Sequence, residues 1–172
     1  VRAHTSLLGA HCAYNIGIAA CLAFGMGVDL ADIAAAAEGL EFVEHRLQLT
    51  TVNGINILDD GYNANVKGAR AALDVLHSFG GRKLIVTPGI VELGILEESE
   101  NREFGKLLAG LDCVILVGDT LVAPVKEGYA EAGGDPEKLL LRETLKDAQA
   151  ELKKMLEPGD TVLFLNDLPD IY

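Results

Sequence analysis

The chain has 172 residues, of which 49% are hydrophobic and 23% are charged, and this composition is typical of a globular protein rather than a disordered one. Its formal net charge of −12 argues against electrostatic binding of nucleic acid, which needs a clustered basic face. No apolar run approaches the roughly 20 residues that a membrane-spanning helix needs, so no membrane span is predicted.

Two helices rich in small residues are predicted first. Residues 10–24, "AHCAYNIGIAACLAF", are apolar on all sides, which is typical of a helix buried in a larger body, and Gly25 and Gly27 end it. Asp29 is the predicted N-cap of the second helix, which Gly39 ends. The two helices offer little core by themselves, so we expect a packing partner outside the given sequence.

The ends of the chain and its cysteines carry further expectations. The sequence opens on "VRAHTSLLG" without a methionine and closes on "LPDIY", so we expect a piece of a longer protein. The expected boundary between its parts is the link "EFVEH", residues 41–45. Cys12, Cys21 and Cys113 lie in apolar stretches without C-x-x-C spacing, which predicts reduced core thiols in a cytoplasmic protein.

Strands and helices alternate through the rest of the chain. The stretch "RLQLTTVNGINILDD" predicts a hairpin that turns at Asn53-Gly54. Apolar strands are then predicted from residues 83, 113, 138 and 160, and helices over 65–78, 98–111, 122–132 and 144–156. Uniformly apolar strands between amphipathic helices indicate an α/β fold, a Rossmann-like domain with a mostly parallel sheet and helices on both faces.

Polar residues gather where the strand "INILDD" ends, in "ILDDGYNANVKGARAAL", residues 57–73. Ligands of such sheets bind at the carboxyl ends of strands, so this stretch is a candidate site. Asp59 and Asp60 can bind ribose hydroxyls, orient a metal or cap the next turn, and position alone leaves these roles open.

The four residues 62–65, "YNAN", contain more polar groups than a turn requires. Asn65 is a predicted N-cap of the next helix, which explains one of its asparagines. Tyr62 and Asn63 are then expected to project into the crevice, where they can bind a peptide or a sugar.

Other candidates lie upstream of the sheet. His11 and Asn15 are four residues apart on one helix face, where the amide can read an adenine edge, or both can serve helix packing. Arg46, beside His45 at the predicted junction, can form an interdomain ion pair or clamp a phosphate or carboxylate. The sequence contains no G-x-x-x-x-G-K-[ST] phosphate loop.

These motifs, in this order, resemble the Mur ligase family of ATP-dependent amide-forming enzymes. The matching stretches are "GAHCAYNIGIAA", similar to G-x-H-N-x-x-N-A-x-A-A, "HRLQ", similar to G-R-L-E/Q, and "LDDGYNANVKGARAAL", similar to D-D-S-Y-N-A-N-P. The Y-N-A-N tetrad resembles the branch that adds D-alanyl-D-alanine to UDP-N-acetylmuramoyl-tripeptide. Cys12, Gly61 and Val66 depart from the family patterns, which leaves another amine acceptor open.

The resemblance implies a three-domain ligase. Residues 1–44 would be the truncated helical tail of its central ATP-binding domain, and residues 45–172 its Rossmann-like C-terminal domain. ATP and Mg²⁺ are the implied cofactors, with phosphate and metal sites mostly outside this chain. The implied reaction forms an acyl phosphate that the dipeptide amine attacks, and the fragment is expected to be inactive alone.

Site roles follow from the same resemblance. It implies that Asn15 and His11 contact adenine, that Arg46 and Asp60 complete the nucleotide site, and that Tyr62, Asn63 and Asn65 line the dipeptide side. No catalytic residue and no metal ligand is assigned within the chain. A divergent Mur-like ligase and a non-catalytic nucleotide- or partner-binding domain stay open as alternatives.

Overall fold

A computed structural model describes residues 1–62 and 65–166 of the chain. Its six strands are β1 (Gln48–Val52), β2 (Ile55–Asp60), β3 (Lys83–Thr87), β4 (Cys113–Val117), β5 (Leu139–Arg142) and β6 (Thr161–Leu165). Its α-helices are α1 (Ala10–Gly25), α2 (Leu30–Glu38), α3 (Val66–Ser78), α4 (Glu97–Leu108), α5 (Val122–Glu131) and α6 (Leu145–Met155). The predicted order of strands and helices is confirmed.

The strands form a single mixed sheet in the order β1-β2-β6-β3-β4-β5. β1 runs antiparallel to β2, and every other neighbouring pair is parallel. The β1–β2 hairpin turns at Asn53 and Gly54, whose φ angles of 53° and 79° are the left-handed values that a tight two-residue turn requires. The predicted hairpin and the mostly parallel sheet are therefore both confirmed.

Helices cover both faces of the sheet, as the uniformly apolar strands predict. Buried side chains of α3, α4 and α5 form one core with residues such as Leu58 and Ile85. Buried side chains of α6 form a second core with residues such as Leu84 and Val162. Successive strands from β2 to β5 are added in one direction across the sheet, and β6 then returns to the position between β2 and β3. Because crossovers have one hand, the helix of the return connection, α6, lies on the opposite face from α3, α4 and α5.

The helix α3 carries the polar stretch into the core. The Asn65 side chain caps it by accepting a hydrogen bond from the backbone N–H of Gly68 at 2.9 Å, as predicted. Ala69, Ala72 and Leu76 are buried on one helix face, which anchors α3 against the sheet. The residues just before α3 are thereby held at the carboxyl end of β2.

The two N-terminal helices are far less buried than their composition predicts. α1 has no buried residue, and its Tyr14 and Leu22 side chains are 72% and 66% exposed. An apolar helix is buried only where another element covers it, and here the neighbouring α2 lies along one side. Leu8, just ahead of α1, packs against the core of the sheet domain. Asp29 lies at the N-cap position of α2, but its side chain makes no capping hydrogen bond.

The cysteine prediction is correct for one residue of three. Cys113 is buried in β4, Cys12 is half-buried and Cys21 is exposed. The two exceptions both lie on α1, so they follow from the exposure of that helix. Within residues 1–62 and 65–166, no helix combines the length and apolar character that a membrane crossing requires.

An ion pair closes the amino end of the sheet. Arg82, just before β3, donates from Nε and Nη2 to the two carboxylate oxygens of Asp160, just before β6, at 2.9 and 2.6 Å. The Asp160 side chain is only 5% exposed and also accepts the backbone N–H of Glu157. The Arg82 guanidinium holds the pKa of Asp160 below its usual range.

We expect Arg82→Ala to lower the free energy of unfolding by about 2 kcal/mol at pH 7, because it leaves the buried Asp160 carboxylate without its cation. A carboxylate with a lowered pKa stabilises the fold above its unfolded value, near 3.9, and loses this contribution as the pH falls through the folded value. Urea titrations should therefore show a smaller difference in the free energy of unfolding between wild type and variant at pH 3 than at pH 7.

The control for this prediction is Arg102→Ala, which removes an exposed ion pair with Glu131 on α4 and α5. Exposed pairs contribute about 0–1 kcal/mol, so this variant should unfold close to wild type. Equal urea midpoints for the Arg82 and Arg102 variants at pH 7 would contradict a stabilising role for the Arg82–Asp160 pair.

Candidate functional site

A cleft of about 500 Å³ lies between the N-terminal segment and the beginning of α3, beside the carboxyl end of β2. This volume is in the range of small-molecule sites. The lining residues come from the N-terminal segment, the junction before β1, the end of β2 and α3. They are Leu7, His11, Cys12, Glu41, Val43, Arg46, Leu47, Asp60, Asn65, Lys67, Gly68, Ala71 and Ala72.

The structure brings together four predicted site residues from three separate parts of the sequence. His11, Arg46, Asp60 and Asn65 all line this cleft. Tyr62 is not among the lining residues, but its ring centroid is 4.1 Å from the guanidinium carbon of Arg46, which is. This distance is within the range of a cation–π contact.

One other predicted site residue lies in a different groove. Asn15 lies one turn beyond His11 on α1 and lines an apolar groove between α1 and α2. The adenine contact of Asn15 stays a prediction, and Asn15 and Asp60 line different grooves. Asn63 lies outside the described residues, so its predicted role is not addressed by the geometry.

Asp60 is a half-buried carboxylate in the wall of the cleft. Burial raises its pKa, whereas the backbone N–H of Leu47 and the Arg46 and His11 side chains act in the opposite direction, and Asp59 adds to the rise. Its Oδ1 atom accepts the N–H of Leu47 at 3.0 Å. Such a group can accept a hydrogen bond from a ligand hydroxyl and counter a ligand cation.

The junction that carries Arg46 has an unusual backbone. His45 and Leu47, on either side of it, have φ angles of 56° and 50°, in the left-handed region that non-glycine residues rarely adopt. Each such residue costs roughly 1–3 kcal/mol, and such strain persists where surrounding contacts hold it. His45 Nδ1 lies 2.9 Å from Asp59 Oδ2, and the His45 carbonyl accepts the N–H of Tyr62.

Lys67 is a lining residue that our sequence reasoning did not single out. It lies in the first turn of α3, where the positive end of the helix dipole disfavours a cation. A lysine in this unfavourable position is the sequence signal that could have marked Lys67 as a functional candidate. Lys67 joins Arg46 and His11 among the basic side chains that line the cleft, where Glu41 and Asp60 are the acidic ones.

A buried network of polar side chains was also missed. The Asn101 amide exchanges two hydrogen bonds of 2.8 Å with the backbone of Ile90, in the loop after β3. Asn166, directly after β6, donates its amide to the Gly89 carbonyl and its backbone N–H to the Asp60 carbonyl. These bonds tie the loop after β3 to the end of β2. A polar residue directly after an apolar strand was the signal that marks Asn166.

The described residues do not offer a metal centre. Among residues 1–62 and 65–166, no group of three or more His, Cys, Asp or Glu side chains could hold a metal ion. The carboxylates of Asp59 and Asp60 are engaged by His45 and by backbone N–H groups instead. The described residues therefore do not fit Mg²⁺.

Comparison with known proteins extends this picture. The family model "Mur ligase, glutamate ligase domain" matches residues 45–166. Two UDP-N-acetylmuramoyl-tripeptide–D-alanyl-D-alanine ligases are similar: the Bacillus subtilis protein at 30% identity over 92% of this chain, and the Escherichia coli protein at 32% over 89%. A UDP-N-acetylmuramoylalanine–D-glutamate ligase of a Hydrogenobaculum species is 30% identical over 94% of the chain.

Solved structures agree with these relatives. A crystal structure of MurF from Acinetobacter baumannii superposes with a TM-score of 0.81 at 28% identity and covers 95% of this chain and 36% of that one. MurF from Thermotoga maritima in complex with ADP superposes with a TM-score of 0.73 at 26% identity, over 92% of this chain and 35% of that one. The chain spans 35% of the length of the Bacillus subtilis and Escherichia coli relatives. With the family model matched from residue 45 to residue 166 on a Rossmann-like sheet, the chain belongs to the Mur ligase family.

Proposed function

We propose that the chain is part of an ATP-dependent amide ligase that adds D-alanyl-D-alanine to UDP-N-acetylmuramoyl-tripeptide, in the cytoplasmic synthesis of peptidoglycan precursors. One observation carries the proposal: Arg46 and Asp60 of the sheet domain meet His11 of α1 across a single cleft. The similarity to ligases of that activity over about nine tenths of the chain supports it.

The proposal includes a division of the chain. Residues 1–44 are the helical tail of a central ATP-binding domain, and residues 45–172 form the C-terminal domain. Support comes from apolar side chains of α1 such as Tyr14 and Leu22, which stay exposed within the described part of the chain. In this arrangement the UDP-sugar site, the phosphate loop and the Mg²⁺ ligands belong to the rest of the ligase.

The cleft residues fit a nucleotide. ATP would transfer its γ-phosphoryl group to the tripeptide carboxylate and leave as ADP. The dipeptide amine would then attack the acyl carbon of the resulting acyl phosphate, forming the amide and expelling phosphate. The Arg46 guanidinium counters phosphate charge, the Asp60 carboxylate accepts a hydrogen bond from a hydroxyl, and His11 offers its ring to the base. Asn15 is assigned to the base as well.

The dipeptide side of the site is assigned to Tyr62, Asn63 and Asn65. The Asn65 side-chain oxygen already caps α3, so only its amide N–H groups are available to donate to a peptide carbonyl or carboxylate. The Tyr62 side chain is 52% exposed, so its ring can pack against the incoming dipeptide. Closing the domains around both substrates would exclude water from the acyl phosphate.

We expect phosphate release by the full-length protein with UDP-N-acetylmuramoyl-tripeptide and ATP to require D-alanyl-D-alanine, at a rate roughly 100-fold above other amines. D-Glutamate with UDP-N-acetylmuramoyl-alanine is the decisive competitor, because a relative of that activity is 30% identical. The 172-residue chain alone should release no phosphate.

Each alternative predicts its own result in this assay. Faster release with D-glutamate would assign the protein to another branch of the family. Nucleotide binding without release for any acceptor would favour a non-catalytic nucleotide-binding domain.

A further inference from the structure

Among the described residues, hydrogen bonds join the junction before β1 to the end of β2, outside the ladder that begins at the pair Gln48 and Asp59. His45 Nδ1 lies 2.9 Å from Asp59 Oδ2. The Tyr62 N–H donates to the His45 carbonyl at 3.2 Å, and the Leu47 N–H donates to Asp60 Oδ1 at 3.0 Å. The two segments therefore hold each other on both sides of Arg46.

The contact between the His45 and Asp59 side chains joins the two segments across 14 residues of sequence. The side chains are 28% and 27% exposed, so their contact is partly screened from water. Asp59 is itself fixed, because its other oxygen accepts the Gly61 N–H at 3.0 Å. His45 has a left-handed backbone, a conformation that an isolated histidine disfavours and that a tertiary contact can hold.

The residue between the two left-handed positions is Arg46, whose guanidinium lies over the Tyr62 ring. Arg46 also lines the cleft beside Asp60. An arginine on an open surface loses several rotatable bonds of freedom when it binds an anion, and a stacked one has already lost them. The junction thus presents a guanidinium in one place before any ligand arrives.

We propose that His45 and Asp59 are a positioning pair, whose contact holds the Arg46 guanidinium over the Tyr62 ring and in the lining of the cleft, in position for an anionic ligand. The identity of that ligand as ATP rests on the proposed function. The placement of Arg46 does not, so the two can be tested apart.

The test uses three substitutions at position 45 and its partner in the full-length protein. His45→Ala removes the contact, and Asp59→Asn removes the carboxylate charge. His45→Asn keeps a nitrogen at the position of Nδ1 and tolerates the left-handed backbone, so it should restore the contact. Glu151→Gln is the matched control, because it breaks a pair with Arg142 of the same 2.9 Å length and similar exposure on α6 and β5.

The first readout is the side-chain Nε–H signal of Arg46 in NMR spectra, assigned by its loss in Arg46→Lys. Stacking on Tyr62 should shift this signal upfield in wild type and in His45→Asn. In His45→Ala its chemical shift should move to the value of solvent-exposed arginines. In Asp59→Asn it should move at least part of the way to that value. The second readout is the dissociation constant for MgATP, expected to rise roughly tenfold in His45→Ala.

The outcomes separate the two claims. An Arg46 signal that is unchanged in His45→Ala, or equally moved in Glu151→Gln, overturns the positioning role. If the signal moves as expected but wild type does not bind MgATP, the positioning role stands and the proposed nucleotide site fails. Loss of thermal stability in His45→Ala with an unmoved Arg46 signal would make the pair purely structural.

Discussion

Arg46→Ala in the full-length protein is expected to lower kcat/KM for ATP-dependent phosphate release by about 100-fold, since a hydrogen-bonded charge pair contributes roughly 1.5–3 kcal/mol. The guanidinium belongs to the sheet domain, lines the cleft together with Asp60 and stacks on Tyr62. Steady-state phosphate release at varied ATP concentration measures the effect. The unfolding midpoint should change little, because Arg46 is exposed.

Arg70→Ala is the matched control for this prediction. Arg70 is an exposed arginine on α3 that does not line the cleft, so its removal makes the same change in net charge. Its kcat/KM should stay within about twofold of wild type, as is usual for surface substitutions away from a site. Equal losses in both variants would show that net charge, and not the position of Arg46, is responsible.

Asp60→Asn adds a test by pH. The amide keeps the size of the side chain and can still accept the Leu47 N–H, but it cannot ionise. Burial raises the pKa of Asp60, so as the pH falls its carboxylate should become protonated above the ordinary aspartate value of about 3.9. The kcat/KM of the wild type should fall over the same pH range. This acid limb should be absent from the variant.

Gly128→Ala is expected to lower the free energy of unfolding by about 3 kcal/mol, the upper part of the range for overpacked cores. Gly128 on α5 lies against the backbone of α4, where an added Cβ atom would overlap the carbonyl oxygen of Arg102. Gly105 on α4 has the reciprocal position, against the carbonyl oxygen of Val125. Backbone atoms cannot turn away as a side chain can, so the helices would have to separate.

Urea denaturation followed by circular dichroism measures this loss. Gly17→Ala on α1 is the control, because an added Cβ atom there meets open space. Alanine is the better helix former by about 1 kcal/mol, so this variant should be as stable as wild type or slightly more stable. A Gly128→Ala protein as stable as wild type would contradict the close approach of α4 and α5.

Much of the fold was predictable because its signals are local. The Asn53-Gly54 turn, the Asn65 cap of α3 and the apolar strands each depend on residues close in the chain, and all three are confirmed. α1 is exposed within the described residues, and its packing partner was expected outside the given sequence, because apolar composition does not say which element covers a helix. Cys12 and Cys21 on α1 were predicted in a core and are half-buried and exposed for this reason.

The candidate site was predictable in part. The polar residues at the end of β2 were found by the rule that ligands gather at strand ends, and Asp60 and Asn65 do line the cleft there. His11 and Asn15 share a helix face by spacing, yet they line different grooves. Their spacing along α1 does not specify how that helix lies against the sheet domain. The functional roles of these residues stay predictions.

The sequence by itself determined the order of strands and helices, the mostly parallel sheet and the strand end where polar groups collect, because periodicity, capping and turn chemistry act between near neighbours. Only the tertiary structure decided that His45 meets Asp59, that Arg46 stacks on Tyr62 and that Asn166 holds the loop after β3. These contacts depend on strand register and on the packing of distant segments, which no local pattern encodes.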